Sequence, residues 1–301
     1  MLYTLSSKHI SFSFSKNNKE ALIIKSGDDV EIETLDCFSN QICSNSDKLE
    51  SMDWNKLNPA TGPIFIEEAL SGDVLEVTIK KIKVADKGVI ATGKNLGVLG
   101  DIVEGLHFKV VEIKNNKVFF NDKIILPMCP MIGVIGVAPK DGNINCGTPG
   151  SHGGNMDTNL IKEGSKLYLP VFVDGALFAL GDLHALMGNG EVGVSGVEVA
   201  GKVLVNFKVI KSLTINNPIT KTKEVIASIA SAESLDCASS IAVHDMTNFI
   251  KNSIAMPLED IAMLFSIAGN LEISQVVDPL KTALFTMPIN ILHNLGVNFN
   301  G

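Results

Sequence analysis

Residues 202–210 read KVLVNFKVI, with Val203, Val205, Phe207 and Val209 at period two. Successive side chains of an extended chain point to opposite faces, so this alternation predicts a strand with one face against a core. The same pattern recurs upstream in SFSFS at 11–15, VEIET at 30–34 and GPIFIEEALSGDVLEVTIKKI at 62–82, where Leu75, Val77 and Ile79 share a face. Turns are expected at Gly27-Asp28, Thr61-Gly62-Pro63 and Ser71-Gly72-Asp73. Ala200-Gly201 reads as a turn joining an extended 192–199 segment to the 202–210 strand, which sets Glu191 at the mouth of a hairpin.

Helical period appears only late in the chain. Leu235, Ala238, Ala242, Phe249 and Ile250 share one face, and Leu258, Ile261, Phe265 and Ala268 share another, opened by Pro257 and closed by Gly269. Short strands are expected at 272–277 and 283–287, separated by an Asp278-Pro279 turn. The expected fold class is therefore mainly β with some α. Sandwich and barrel-like lobes are placed over 1–215, with the catalytic region there, and a small α/β portion over 216–301 packs on them.

The chain has 301 residues, a net charge of −8 and 19% charged residues, so it can bury a sizeable core and has apolar surface to hide. A homodimer or higher homo-oligomer fits that composition. Phosphate affinity comes from clustered Lys and Arg, so the acidic balance argues against nucleic acid. KKIK at 80–83 sits in a strand and reads as a solvated face. The five cysteines, Cys37, Cys43, Cys129, Cys146 and Cys237, are scattered and form no C-x-x-C pair, as expected of a reducing cytoplasm. No apolar run approaches the roughly 18 residues that span a bilayer, and no membrane partner is expected.

Glycines and ligand-type residues concentrate in SHGGNMD at 151–157, GDLH at 181–184 and GNGE at 188–191. Asp182 and His184, two apart, project to one side of an extended chain. Asp157 follows a glycine turn, and Glu191 follows two glycines that let the chain fold back. Singly, such an Asp closes a turn and such a His is a structural residue. Jointly, Asp157, Asp182, His184 and Glu191 read as ligands of a divalent metal, zinc first and calcium second, with a polar structural cluster as the alternative. A metal lowers the proton affinity of bound water, and Glu191 or His152 is the candidate to move the proton, with Asn155 holding a carbonyl or a neighbouring loop.

Other designs fit less well. No G-x-S-x-G elbow is present, SGVEV at 195–199 included, and GKNLGVLG at 93–100 lacks the G-K-[ST] ending of a phosphate loop. Cys146 lies near His152 in sequence and is the minor thiol-nucleophile candidate. Glu67 and Glu68 are expected at the surface.

With these segments in view, the sequence resembles the acetamidase/formamidase family. The resemblance lies in LDCFSNQI at 35–42, NPATGPIFIEEALSGDVLEV at 58–77, the block from Pro149 to Val199, and SIAGNLEISQVVDP at 266–279. The family's G-G-N-M-D stands at 153–157, its G-D-x-H at 181–184 and its G-x-G-E at 188–191, and Glu198 matches a downstream acidic position. Leu183, Met187 and Asn189 stand where glycine, glutamine and aspartate are usual, in positions bordering the same loops. The resemblance implies hydrolysis of a small amide such as formamide or acetamide in a mostly β, oligomeric, metal-bearing protein. A non-catalytic protein that binds an amide or carboxylate is the competing reading.

Overall fold

The computed structural model describes residues 1–47 and 52–297. Strands dominate, with three α-helices among the described residues at Leu235–Ser253, Leu258–Ala268 and Ile289–Asn294, so the fold is mainly β with a small helical portion. One sheet has nine strands in the order Leu2–Leu5, Asp29–Thr34, Gly201–Ile210, Val74–Val84, Lys166–Pro170, Ile219–Lys221, Val225–Ala232, Lys281–Pro288 and Asn270–Gln275. A second sheet has eleven strands and includes Ala60–Ile66, Lys87–Gly93, Met131–Gly136, Gly153–Asn155, Phe178–His184 and Glu198–Val199.

The period-two run of 202–210 explains why the two sheets adhere. Gly201–Ile210 lies antiparallel between Asp29–Thr34 and Val74–Val84, with Val203 opposite Ile32 and Phe207 opposite Val77. Val203, Val205, Phe207, Val77 and Ile79 are fully buried, in one apolar cluster with Ile132, Ile135, Phe178 and Leu180 of the second sheet. Phe207 meets Phe178 edge to face, with centroids 4.9 Å apart. Burying a side chain of this size stabilises the fold by about 1.5–3 kcal/mol relative to leaving it exposed.

The nine-stranded sheet runs on through residue 215, because Lys166–Pro170 pairs Ile219–Lys221, which pairs Val225–Ala232. There the helices cover it. Ser234 caps the first helix by accepting the N–H of Cys237, and Ala238, Ala242, Met246, Phe249 and Ile250 form its buried face. The second helix runs from the Pro257 cap to Gly269 and buries Ile261 and Phe265. All of these side chains but Ala238 join Ile226, Phe285 and Met287 in a second core.

Four local expectations are corrected. Glu198–Val199 and Gly201–Ile210 do not form a hairpin: the former pairs with Phe178–His184 and Lys87–Gly93, the latter lies in the other sheet, and Ala200 marks the corner. The 192–197 stretch is not extended, because Glu191 and Val194 have φ of 47° and 86° in the left-handed region. Glu191 thus sits on an irregular loop. SFSFS is split, with Ser11 pairing Ala60 and Ser13–Ser15 pairing Asn143–Asn145. Thr61-Gly62-Pro63 is no turn but part of Ala60–Ile66, and a Cβ on Gly62 would stand 2.7 Å from that of Ala179 on the adjoining strand. Lys80, Lys81 and Lys83 are exposed as expected, as are Glu67 and Glu68.

Candidate active site

Strand pairing in the second sheet assembles the candidate residues. His184 is the cross-strand partner of Glu198, and its Nε2 lies 3.1 Å from Glu198 Oε2. The same Nε2 is 3.6 Å from Asp182 Oδ1 and 3.9 Å from both Asp157 Oδ1 and Glu191 Oε1. Donor atoms of Asp157, His184 and Glu191 all lie within 4.8 Å of one another. Asp157, Asp182 and Glu191 each have φ between 44° and 53°, so each carboxylate is turned inward by left-handed backbone. Gly133 makes the room: a Cβ there would stand 2.3 Å from Asp157 Oδ1 and 2.9 Å from Asp182 Oδ2.

The edge strand Asn270–Gln275 ties the two site loops together. Ser274 Oγ donates to the carbonyls of Met156 and Asp157, at 3.0 and 2.7 Å, while the Ser274 carbonyl accepts the N–H of Gly190 at 2.7 Å. Asn155 Nδ2 donates to Asp278 Oδ2 at 3.0 Å. Ser274 and Asp278 therefore belong to the site, although they lie more than a hundred residues from Asp157 and carry no local motif.

The electrostatics of this cluster are unbalanced. Asp157, Asp182, His184 and Glu198 are at most 3% exposed and Glu191 is 7% exposed. Both Asp157 oxygens, Asp182 Oδ1 and Asn155 Oδ1 lack hydrogen-bond partners. The chain contains no arginine, and the carboxylates share a single imidazole. Burial, reinforced by mutual repulsion, pushes Asp157, Glu191, Glu198 and Asp278 above the usual carboxylate range. Burial alone would lower His184, but the charges of Glu198 and Asp182 override it and hold its pKa well above the ordinary value.

A cavity of about 200 Å³ opens onto this cluster, with Asn155, Asp182, Glu191, Glu198 and Asp278 at its polar end. His152 does not line it. That ring lies edge-on to Phe14 at 5.1 Å with neither nitrogen hydrogen-bonded, and burial pushes its pKa down to about 4. Cys146 is also set apart, with its thiol against the Ser11 carbonyl and raised by burial to about 12. The cysteine beside the cluster is Cys37, whose Sγ lies within 4.8 Å of donor atoms of Asp182 and Glu198. Asp36 next to it is pushed up to about 6 by burial. Among the departures from the family pattern, Leu183 and Met187 are buried and Asn189 bonds Asn159, and none of the three lines the cavity.

The family model of the acetamidase/formamidase family matches residues 14–145 and 145–292. A predicted acetamidase/formamidase of Thermoanaerobacter tengcongensis is 67% identical, with a TM-score of 0.98 over 99% of each chain. An acetamidase of Bacillus halodurans is 46% identical, with a TM-score of 0.95 over 98% of this chain and 100% of that one. The formamidase of Methylophilus methylotrophus is 23% identical over 260 residues, 65% of this chain and 64% of that protein. The chain spans about three fifths of the length of the curated formamidases it matches. No helix among the described residues is long and apolar enough to cross a membrane. On the match along nearly its whole length, the chain belongs to the acetamidase/formamidase family.

Proposed function

We propose that this chain hydrolyses a short aliphatic amide, of the formamide and acetamide type, to the carboxylate and ammonia with the help of a bound divalent metal ion. The observation that carries the reading is the convergence of buried carboxylates from Asp157, Asp182 and Glu198 on the one imidazole of His184, with both Asp157 oxygens and Asp182 Oδ1 left unpartnered. Buried charge without a counter-charge is costly, and a divalent cation removes that cost. One imidazole among carboxylates suits zinc first and accommodates calcium second. Asp157, Asp182 and His184 would hold the ion, leaving Glu191 off it to move the proton. Bound there, it would polarise the amide carbonyl and ease deprotonation of water.

The remaining work falls to the chain. The free Asn155 Oδ1 accepts an N–H of the amide, and its Nδ2 is committed to Asp278, which fixes the side chain. Water adds to the carbonyl carbon, its proton passes to Glu191, and the same proton is delivered to nitrogen as the C–N bond breaks. Glu191 lines the cavity beside Asn155, where it can take up that proton, whereas His152 lies off the cavity. The five cysteines are free thiols, in keeping with the cytoplasm. Exposed Met263, Ile267, Leu271 and Ile273 support a homodimer or higher assembly.

The test is ammonia release from formamide and acetamide by zinc-supplemented protein. Release is expected; binding of either amide without release would assign a binding protein instead. Gly133→Ala is expected to lower the rate by about 10²-fold, because a new Cβ displaces the Asp157 carboxylate by an ångström or so. Circular dichroism of the variant checks that the fold is retained.

A further inference from the structure

The cavity is larger and more apolar than formamide or acetamide requires. Besides its acidic residues, it is lined by Phe38, Ile42, Met52, Trp54, Leu57 and Leu106. Phe38, Ile42 and Met52 form a small apolar cluster of their own and keep 6–8% exposure, whereas Ile79 and Phe207 of the main core have none. Cys37 joins the two sets of residues, adjoining Phe38 in sequence and standing beside Asp182 and Glu198 in space. About 200 Å³ is more than ten times the roughly 10–15 Å³ that one water needs. Formamide has no methyl group and acetamide a single one, so either would leave this wall wet. Pockets that bind small molecules set a few polar groups in a mostly apolar lining that the ligand covers.

We infer that the preferred substrate is a primary amide whose apolar acyl chain extends beyond that of acetamide and lies against Phe38, Met52 and Trp54. The inference rests on the amide-hydrolase reading and names its substrate class. The orientation follows from hydrogen bonding. Asn155 Oδ1, free and at the cavity, accepts an amide N–H, and the carbonyl is activated among the acidic residues, so the whole amide group lies beside Asn155, Asp182 and Glu191 and the acyl chain is left to the apolar lining.

Each methylene covered by apolar wall raises kcat/KM by about fourfold. The experiment measures kcat/KM of the zinc-supplemented protein for formamide, acetamide, propionamide, butyramide and hexanamide, with N-butylformamide as the control carrying its chain on nitrogen. A rise of about fourfold per methylene from acetamide to butyramide is expected, with N-butylformamide poor. Trp54→Ala is expected to flatten the series; Trp54 is 48% exposed, so its truncation spares the core. A steady fall beyond acetamide, a slope unchanged in Trp54→Ala, or N-butylformamide matching butyramide would overturn the assignment. Absence of turnover with every amide would instead strike the hydrolase reading beneath it.

Discussion

Asp157→Ala is expected to lower ammonia release from acetamide by roughly 10³-fold and at the same time to make the metal-free protein more stable. The loss follows from position, since Asp157 stands within 3.9 Å of His184 Nε2 and shares a donor cluster with Glu191. The gain follows from electrostatics. Both Asp157 oxygens are buried without a hydrogen-bond partner, and removing an unsatisfied buried polar group returns about 1–3 kcal/mol. For a chain of this size that is a rise of several degrees in Tm, at about 2–4 °C per kcal/mol. A carboxylate kept for structure gives the opposite pair: lower stability and little change in rate. Calorimetry and ammonia assays on the same preparation separate the two.

The metal-free protein is also expected to lose stability as pH rises from 5 to 9, and zinc is expected to abolish most of that slope. Asp157, Glu191, Glu198, Asp278 and Asp36 are raised above the ordinary carboxylate values of 3.8 or 4.5, chiefly by burial. A carboxyl with a raised folded-state pKa binds more protons folded than unfolded, so its contribution is complete below the unfolded pKa and is lost as pH climbs through the folded one. For Asp36 that window closes near 6. His184, raised above 6.5, acts in the same direction at higher pH. Asp28, lowered by its bonds to the N-terminal ammonium and Lys25, acts only in acid, where falling pH removes its contribution. Zinc at a hundred times its Kd adds about 2.7 kcal/mol. Thermal melts at several pH values, with and without zinc, check this; a flat metal-free profile would contradict it.

Much of this architecture is written locally. The alternation of 202–210 and 74–79 needs no distant partner to be read, because period two marks a half-buried strand wherever it lies. Pro257 and Gly269 bracket the second helix for equally local reasons. The 192–199 segment misleads, since Val192, Val194, Val197 and Val199 look strand-like while the backbone needed to aim Glu191 inward is left-handed at Glu191 and Val194. Tertiary geometry there overrides propensity. Within the site, Asp157, Asp182, His184 and Glu191 are legible because glycines surround them. Cys37, Ser274 and Asp278 reach it from loops and an edge strand far away in sequence, and only the LDCFSNQI and SIAGNLEISQVVDP stretches of the family resemblance hint at them. The apolar wall has no sequence signature, because Phe38, Met52 and Trp54 converge through a connection without period.

The most direct test of the central claim is ammonia release from acetamide measured against bound metal per chain, after exhaustive chelation and stepwise return of zinc. A rate that vanishes in the stripped protein and returns in proportion to bound zinc is the predicted result. Full turnover by protein shown by elemental analysis to carry no metal would contradict it.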